Sequence, residues 1–512
     1  MRKWKCWLAA WVMYASQAVA QPTFPVNGVA TPASGAYAFT NATIVKDAIT
    51  TLTNATLVIR EGQIVACGNG VAIPPDAVVV DCKDKYIYPT FIDMYSEYGM
   101  PARQQGGRGG DFRAPAQLET NVKGAYGWNQ ALKADVEAAT LFVPDEAKAK
   151  ALREAGFGAV LTHQQDGIAR GTGAVVSLAN ARANQVIIKD KAAAHYSFSK
   201  GSSTQAYPSS LMGTIALLRQ TYLDAQWYKS NPKAEGVNLT LKAWNEQQNL
   251  PQIFDPSQGG DLWNVIRADR VGDEFGVQYI LKASGKEYQR LDDVKATKAA
   301  LIVPINFPAA QDVEDPNDAR YVSLADMKHW ELAPSNPAAL EKAGISFALT
   351  MADLRDGRSF WTNLRKALEY GLSESAALDA LTKNPATMLG VFDKVGSLDI
   401  GKLANFMITN GPLFNEKTTI HHSYVQGLAY RIKDDNWHSI NGSYALTVKG
   451  PGGTANYTME VKSSSSASIV AGTDTLSSQF SFDGKMLKIG FGPRNRRPGG
   501  GAGAGRPGGG VA

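Results

Sequence analysis

The stretch Tyr86-Ile87-Tyr88-Pro89-Thr90-Phe91-Ile92-Asp93-Met94-Tyr95-Ser96-Glu97-Tyr98-Gly99 decides the fold of this 512-residue chain. It is mostly apolar, and its proline lies near the beginning, where a strand tolerates a residue without a backbone N–H. Polar side chains follow at Asp93, Tyr95 and Glu97. The pattern predicts a buried strand that ends in a polar cluster.

Short strand-like runs separated by turn residues precede this stretch. They cover residues 38–45, 55–60, 63–68 and 77–81, and Glu61-Gly62 makes a tight turn between two of them. A strand, a turn with glycine and a second strand are typical of a hairpin. The amino-terminal part of the chain therefore predicts a small antiparallel sheet.

From about residue 130 to 390 the chain alternates between strand-like and helix-like runs. Helical spacing covers 145–155, 209–228, 262–275 and 336–343, and buried-type strands lie between these segments, for example at 158–163. Such alternation favours a parallel α/β sheet. The number of units predicts a closed (β/α) barrel, whose active site would lie at the carboxyl ends of the strands.

A second informative stretch follows this region. It contains Thr382-Lys383-Asn384-Pro385-Ala386 on a helix and Gly396-Ser397-Leu398-Asp399-Ile400-Gly401-Lys402 in a turn, ahead of strands at 406–409 and 423–427. The two informative stretches lie about 300 residues apart, so a chance match of both to one family is improbable.

Together these stretches resemble the amidohydrolase superfamily, and in particular the imidazolonepropionase-like metal-dependent hydrolases. In that family a Pro-Gly-Phe-Ile-Asp strand leads into a His-x-His metal pair, and a Gly-Ser-Leu-x-x-Gly-Lys turn returns the chain to the small sheet. The resemblance covers residues 37–432. It implies a (β/α)8 TIM-like barrel at 89–394 and a composite β-sandwich domain built from 37–88 and 395–432.

The resemblance also implies a hydrolase that acts on non-peptide carbon–nitrogen bonds with the help of a divalent metal. The family takes its ligands from the first strand, from histidines ending the fifth and sixth strands, and from an aspartate ending the eighth. Here the His-x-His positions hold Tyr95 and Glu97, and Ala352 stands in the aspartate position with Asp353 one residue later. The fifth and sixth strands, near 251–255 and 277–281, end without histidine.

Of the six histidines, only His163 is well placed at the carboxyl end of a predicted barrel strand. Asp166 and Arg170 follow in the same loop, where they could bind a ligand or equally fix the loop. The candidate pocket residues are therefore Tyr95, Glu97, His163, Asp166 and Asp353. A lone histidine in this position is more often a structural residue than a metal ligand.

Two hypotheses follow from the missing ligands. The first is a catalytically degenerate barrel without a metal or other cofactor. Such a barrel would act as a structural partner of an active homologous amidohydrolase subunit or domain, or as a binder of a small molecule. The second is an active metal-dependent amidohydrolase in which atypical ligands, namely Glu97, His163 and Asp353, hold a divalent ion such as zinc.

The amino terminus predicts export to the periplasm or the extracellular space. Residues 1–20 combine a basic start, a short apolar core and an Ala18-Val19-Ala20 cleavage signal, which together are typical of a signal peptide. Residues 21–36 form a leader rich in turn residues. No later stretch is long and apolar enough to predict a membrane span.

Composition and the carboxyl terminus complete the sequence-based predictions. The formal net charge is +5, and it falls to +2 without the three basic residues of the signal peptide, which disfavours a nucleic-acid-binding body. The pattern predicts an antiparallel β appendix at 437–491 and a disordered Gly/Arg/Pro tail at 492–512. Cys67 and Cys82 could form a disulfide or remain thiols, and sequence does not distinguish these states.

Overall fold

The computed structural model of the protein describes residues 35–102, 116–231, 233, 236–256, 261–433, 442–450, 453–463, 466–471, 474–482 and 487–492. The predicted signal peptide, nearly all of the leader and nearly all of the tail lie outside these residues. The chain divides into two compact units, Met1–Ile432 and Lys433–Ala512. Within the described ranges, no helix combines the length and apolar character that crossing a membrane requires.

Strands from both ends of the first unit form one eight-stranded composite sheet. Its strands are β1 (Tyr37–Val45), β2 (Thr51–Arg60), β3 (Gln63–Gly68), β4 (Val78–Asp81), β5 (Tyr86–Pro89), β14 (Phe406–Thr409), β15 (Ile420–Val425) and β16 (Leu428–Arg431). The order is β16-β15-β14-β5-β1-β2-β3, and β4 also pairs with β1. Because β5 pairs with both β1 and β14, it joins the two ends of the unit.

The remaining strands of this unit form a second eight-stranded sheet, the barrel sheet. They are β6 (Phe91–Ser96), β7 (Phe157–Thr162), β8 (Ala169–Ser177), β9 (Ile187–Ser197), β10 (Gln252–Asp255), β11 (Tyr279–Lys282), β12 (Leu301–Pro304) and β13 (Phe347–Thr350). They follow one another in chain order. One residue, Thr90, separates β5 from β6. The stretch of residues 86–99 therefore passes directly from one sheet to the other.

The prediction of a wholly parallel sheet is wrong at one strand. β8 runs antiparallel to both of its neighbours, β7 and β9, whereas the other strand pairs of this sheet are parallel. The residues between β7 and β8 form a short loop, 163–168, with no crossover helix. Antiparallel strands can be joined by a short loop, while parallel strands need a long crossover. β8, the third strand, therefore begins at the end of the sheet where β7 and β9 finish.

Helices lie in most of the connections between these strands and in the segment that follows β13. They are α1 (Ala138–Leu141), α2 (Glu146–Glu154), α3 (Ala183–Val186), α4 (Leu211–Ser230), α5 (Leu239–Gln247), α6 (Leu262–Phe275), α7 (Leu291–Ala296), α8 (Pro316–Ala319), α9 (Leu324–Leu332), α10 (Asn336–Ala343), α11 (Ser359–Glu369), α12 (Glu374–Leu381) and α13 (Lys383–Met388). The predicted helices at 145–155, 209–228, 262–275 and 336–343 are confirmed within two residues at each end. Gly276 and Gly344 end two of them in the left-handed conformation.

A buried carboxylate connects the first and last strands of the barrel sheet. Asp93 on β6 accepts hydrogen bonds from the Thr350 hydroxyl (2.5 Å) and the Met351 amide (3.2 Å), which lie at the end of β13. It also accepts one from the Tyr95 amide, at 3.0 Å. Burial raises the pKa of Asp93 to about 6, although these hydrogen bonds favour its charged form.

The raised pKa of Asp93 predicts a specific pH dependence of stability. A folded-state pKa above the ordinary value means that this group's contribution is largest below about pH 4 and is lost as the pH rises through about 6. Asp93→Asn does not titrate. Between pH 4 and pH 7 the wild-type free energy of unfolding should therefore fall by up to about 3 kcal/mol relative to Asp93→Asn. Urea titrations of both proteins at the two pH values measure this difference, and a constant difference would contradict the prediction.

The second unit contains an antiparallel sheet. Its strands are β17 (Gly442–Gly450), β18 (Gly453–Ser463), β19 (Ser466–Ala471), β20 (Asp474–Phe482) and β21 (Leu487–Gly492), and each pairs with the next. Met459, Val461, Ile469 and Phe480 form its small core. The structure gives this unit a hydrophobic cluster of its own.

Candidate functional site

Four polar side chains meet where the barrel strands end. Tyr95 lies near the end of β6, Asp255 is the last residue of β10, and Lys282 is the last residue of β11. Arg170 is the second residue of β8, and because β8 is antiparallel its beginning lies at the same end of the sheet. The reversed strand thus brings an arginine to the place where parallel neighbours bring their carboxyl ends.

Asp255 is the centre of this group. Arg170 Nη1 donates to Asp255 Oδ2 at 3.2 Å and to the Tyr95 hydroxyl at 2.8 Å. The Tyr95 hydroxyl in turn donates to Asp255 Oδ2. On the other side, Lys282 Nζ lies 3.9 Å from Asp255 Oδ1 and 2.7 Å from Asp353 Oδ2. One carboxylate is therefore contacted by two cationic side chains, and a second carboxylate pairs with one of them.

These groups are withdrawn from water. The side chains of Arg170 and Lys282 are 6% and 3% exposed, and that of Asp255 is 11% exposed. Burial alone would lower the pKa of Arg170, but Tyr95 and Asp255 outweigh it and hold that pKa above its ordinary value. Burial raises the pKa of Tyr95. Arg170 is accordingly a permanent cation, and Tyr95 keeps its proton.

Two histidines lie beside this group in a stacked arrangement. The ring of His163 lies 3.7 Å from that of His195, with 8° between their planes, and it meets the Tyr95 ring edge-on at 4.9 Å. Burial, assisted by the charge of Arg170, lowers the pKa of His195 to about 3, so this ring is neutral. Imidazole nitrogens bind metals in the plane of the ring, and two rings stacked face to face are poorly arranged to share one ion.

The space for His195 depends on a glycine. A Cβ atom on Gly173 would lie 2.4 Å from His195 Nε2, which is closer than real side chains approach. His195 itself lies on β9, a strand that the sequence pattern did not predict. The strand 187–197 carries charged residues near its beginning. In the sequence pattern these residues mask the buried, apolar character of its second half.

Asp166 is a structural residue of the loop between β7 and β8. Its carboxylate pairs with Lys133 and accepts hydrogen bonds from the Ser202 amide and hydroxyl, each at 2.6 Å. Although burial opposes it, the contacts with Lys133 and Ser202 lower the pKa of Asp166. Of the two sequence-based alternatives, ligand binding or loop fixation, the geometry favours loop fixation.

The remaining candidates lie around the rim. Glu97 follows the last residue of β6 and is partly exposed. Asp353 lies beyond the end of β13 at a positive φ of 67°, and this backbone conformation directs its carboxylate to Lys282. Ala352, in the position of the family aspartate, carries no ligand atom.

The residues that meet here do not fit a divalent ion. Within the described ranges, no group of three or more histidine, cysteine, aspartate or glutamate side chains is arranged to hold one. The hypothetical set of Glu97, His163 and Asp353 is thus not brought together. Next to Asp255, cationic side chains already occupy the place that a divalent ion would have to enter. Cys67 and Cys82 are unpaired thiols.

Sequence reasoning missed three members of this group, Asp255, Lys282 and His195. A signal for two of them was present, because Asp255 and Lys282 end the fifth and sixth strands, where the family places metal-binding histidines. A charged residue in place of the expected histidine, at the end of each of these strands, is the signal that points to both.

The two sheets, the outer helices and the β-rich composite domain place the first unit in the mixed α/β class, in an arrangement that resembles a TIM barrel with an attached β domain. Comparison with solved structures agrees. An amidohydrolase from Thermotoga maritima MSB8 superimposes with a TM-score of 0.61 over 77% of this chain and 100% of that chain, at 22% identity. At this identity the likeness concerns the fold.

Sequence comparisons find similarity to amidohydrolases over part of the chain. The profile of the amidohydrolase family matches residues 299–433. Imidazolonepropionase of Pseudomonas putida is 30% identical over 142 residues, which is 27% of this chain and 31% of that protein. The corresponding enzyme of Acinetobacter baumannii is 28% identical over 189 residues, 34% of this chain and 43% of that protein. The matches thus span less than half of these relatives' lengths. These matches support the resemblance to the amidohydrolase superfamily that the sequence motifs predict.

The contacts around Asp255 predict how the removal of Arg170 changes the stability of the protein. Arg170→Met leaves the buried Asp255 without its guanidinium, and loss of one partner of a buried pair costs about 3 kcal/mol. The double variant Arg170→Met with Asp255→Asn removes the uncompensated charge and should recover much of this loss. Urea denaturation of the single and double variants measures both effects. A loss below about 1 kcal/mol in the single variant would contradict the central role of Arg170.

Proposed function

We propose that this protein is a catalytically degenerate amidohydrolase barrel that serves as a structural or ligand-binding module. The observation that carries the proposal is the pair of buried cations, Arg170 and Lys282, on Asp255. The family activity, hydrolysis of a non-peptide carbon–nitrogen bond, relies on a metal that activates water and polarises a carbonyl. In this chain the corresponding place carries positive charge in the form of side chains.

Electrostatics supports the proposal. A divalent ion bound to Asp255 would approach a carboxylate oxygen to about 2 Å. One oxygen already accepts hydrogen bonds from Arg170 and Tyr95, and the other faces Lys282. A metal would therefore have to displace hydrogen bonds and face the repulsion of two buried cations at close range.

The alternative is an active enzyme with atypical ligands. It requires Glu97, His163 and Asp353 to converge on one ion such as zinc. Asp353 would have to leave Lys282, with which it forms a 2.7 Å ion pair. Release of Asp353 would leave a lysine that is only 3% exposed without its closest carboxylate, so this rearrangement is unfavourable.

Metal analysis of the purified mature protein separates the two hypotheses. The degenerate barrel should contain no stoichiometric zinc, manganese or iron after purification without chelators, and its thermal midpoint should not change with EDTA. Glu97→Ala should behave in the same way. A stoichiometric metal that is lost on Glu97→Ala, or a fall in the midpoint with EDTA, would support the active enzyme. A known zinc enzyme purified in parallel controls for metal loss during handling.

The barrel's role as a module can take two forms. A structural module should co-purify with another subunit, for which an active homologous amidohydrolase is the natural partner. A binding module should show a ligand-dependent increase in thermal stability without added metal. The loss of the catalytic ligands is compatible with both, because neither role needs an activated water.

We also propose that the protein is exported to the periplasm or beyond the cell. The support is the basic, apolar and small-residue pattern of residues 1–20. Protein recovered from the exported fraction should begin at Gln21 by amino-terminal sequencing. Ala20→Arg, which disrupts the small-x-small cleavage signal, should leave the precursor uncut. Recovery of the wild-type chain with Met1 retained would contradict this proposal.

A further inference from the structure

A cleft of about 380 Å³ lies between three connections that follow barrel strands. The first wall comes from the beginning of α6, after β10, and includes Trp263. The second comes from residues 286–290, after β11, and the third from α9, after β12. The cleft therefore lies on the same side of the barrel sheet as the Arg170–Asp255 group, but it shares no lining residue with that group.

The acidic groups of this cleft are already engaged. Asp261 Oδ1 accepts the Trp263 amide at 3.0 Å and caps α6, while its Oδ2 pairs with Arg267 at 3.2 Å. Asp326 Oδ2 accepts the Ser323 hydroxyl at 2.6 Å at the beginning of α9. These contacts use the carboxylates to hold the walls in place.

The cationic groups keep unused hydrogen-bonding capacity. Lys286 is partly buried, and its ammonium group has no hydrogen-bond or ion-pair partner within the described part of the chain. Arg290 pairs with Asp293 through Nη1 alone, at 3.2 Å, and a guanidinium has four further donors. The cleft therefore contains unused hydrogen-bond donors, and an anion would supply acceptors for them.

Aromatic rings supply flat apolar surface beside these donors. The Arg290 guanidinium lies 4.4 Å from the centre of the Trp263 ring, and Trp263 is 44% exposed. On the opposite wall His329 stacks on Tyr288 and shares a 3.1 Å hydrogen bond with its hydroxyl. Burial, with Lys286 nearby, lowers the pKa of His329, so this ring is neutral near pH 7.

The third wall is weakly held. No residue of α9 is buried, and Leu324, Met327 and Trp330 on this helix are 69%, 47% and 39% exposed. A helix without a buried face gains little from packing, so its position can adjust at low cost. The width of the cleft can thus respond to an occupant.

We propose that this cleft binds a small aromatic carboxylate, with Lys286 and Arg290 contacting the carboxylate and Trp263 contacting the ring. The proposal rests on the binding role proposed above and names the chemical class of the ligand. Carboxylates are matched by a guanidinium fork, and planar rings pack on an indole face. No bond to the ligand is broken or formed.

The test uses N-benzoylglycine as the anionic aromatic probe and the full mature chain as the protein. Its neutral amide, N-benzoylglycinamide, and the cation benzylamine are the matched probes. Ligand-detected NMR titration should show saturable binding of N-benzoylglycine and at least tenfold weaker binding of the other two. Lys286→Gln and Arg290→Gln should each weaken binding of N-benzoylglycine about tenfold, the loss expected for one charge-assisted hydrogen bond.

Lys295→Gln is the control, because it removes the same charge from the nearby α7 without touching the cleft. It should leave the affinity within about twofold of wild type, and circular dichroism checks that each variant is folded. Failure of N-benzoylglycine to saturate, equal binding of benzylamine, or unchanged affinity in both cleft variants would overturn the inference. These outcomes are independent of the metal analysis. The proposed ligand site can therefore be wrong while the proposal of a metal-free barrel is correct, and the reverse.

Discussion

The architecture of the first unit depends on one uninterrupted run of chain that serves two sheets. β5 holds the two ends of the composite sheet together, and after Thr90 the chain continues as β6, the first strand of the barrel sheet. Asp93 then ties this strand to the last one through Thr350 and Met351. The positions of both sheets relative to the rest of the unit follow from these few residues, because a shift of one residue in β6 would turn Asp93 away from its partners.

The same run places a structural residue and a candidate site residue two positions apart. Asp93 forms hydrogen bonds that join the first and last strands of the barrel sheet. Tyr95, two residues later, occupies a family metal position and is joined to Arg170 and Asp255. At the mouth, Asp255 lies in contact with the cationic side chains of Arg170 and Lys282. The contact between the end strands and the charged group at the mouth thus depend on neighbouring residues of one strand.

Much of the fold was predictable from sequence, and the reasons are local. The helices follow from apolar spacing and from the glycines that end them, Gly276 and Gly344. The first strand follows from its apolar run and from the position of its proline. The direction of β8 was not predictable, because an apolar run of buried type looks the same in parallel and antiparallel strands. At the site, Tyr95 and Asp353 were identified from family positions. Arg170 was seen only as a loop residue, since its place at the mouth depends on the reversal of β8.

The reversal of β8 also affects how this barrel can change over evolutionary time. In a regular unit the loops at the mouth lengthen freely, because each leads into a helix that absorbs the insertion. Here the six residues 163–168 join two paired strands, and Asp166 within them is held by Lys133 and Ser202. An insertion there would alter the register of β8 and turn Arg170 out of the mouth. New specificity on this side should therefore arise by substitution, whereas the connections after β10, β11 and β12 remain open to growth.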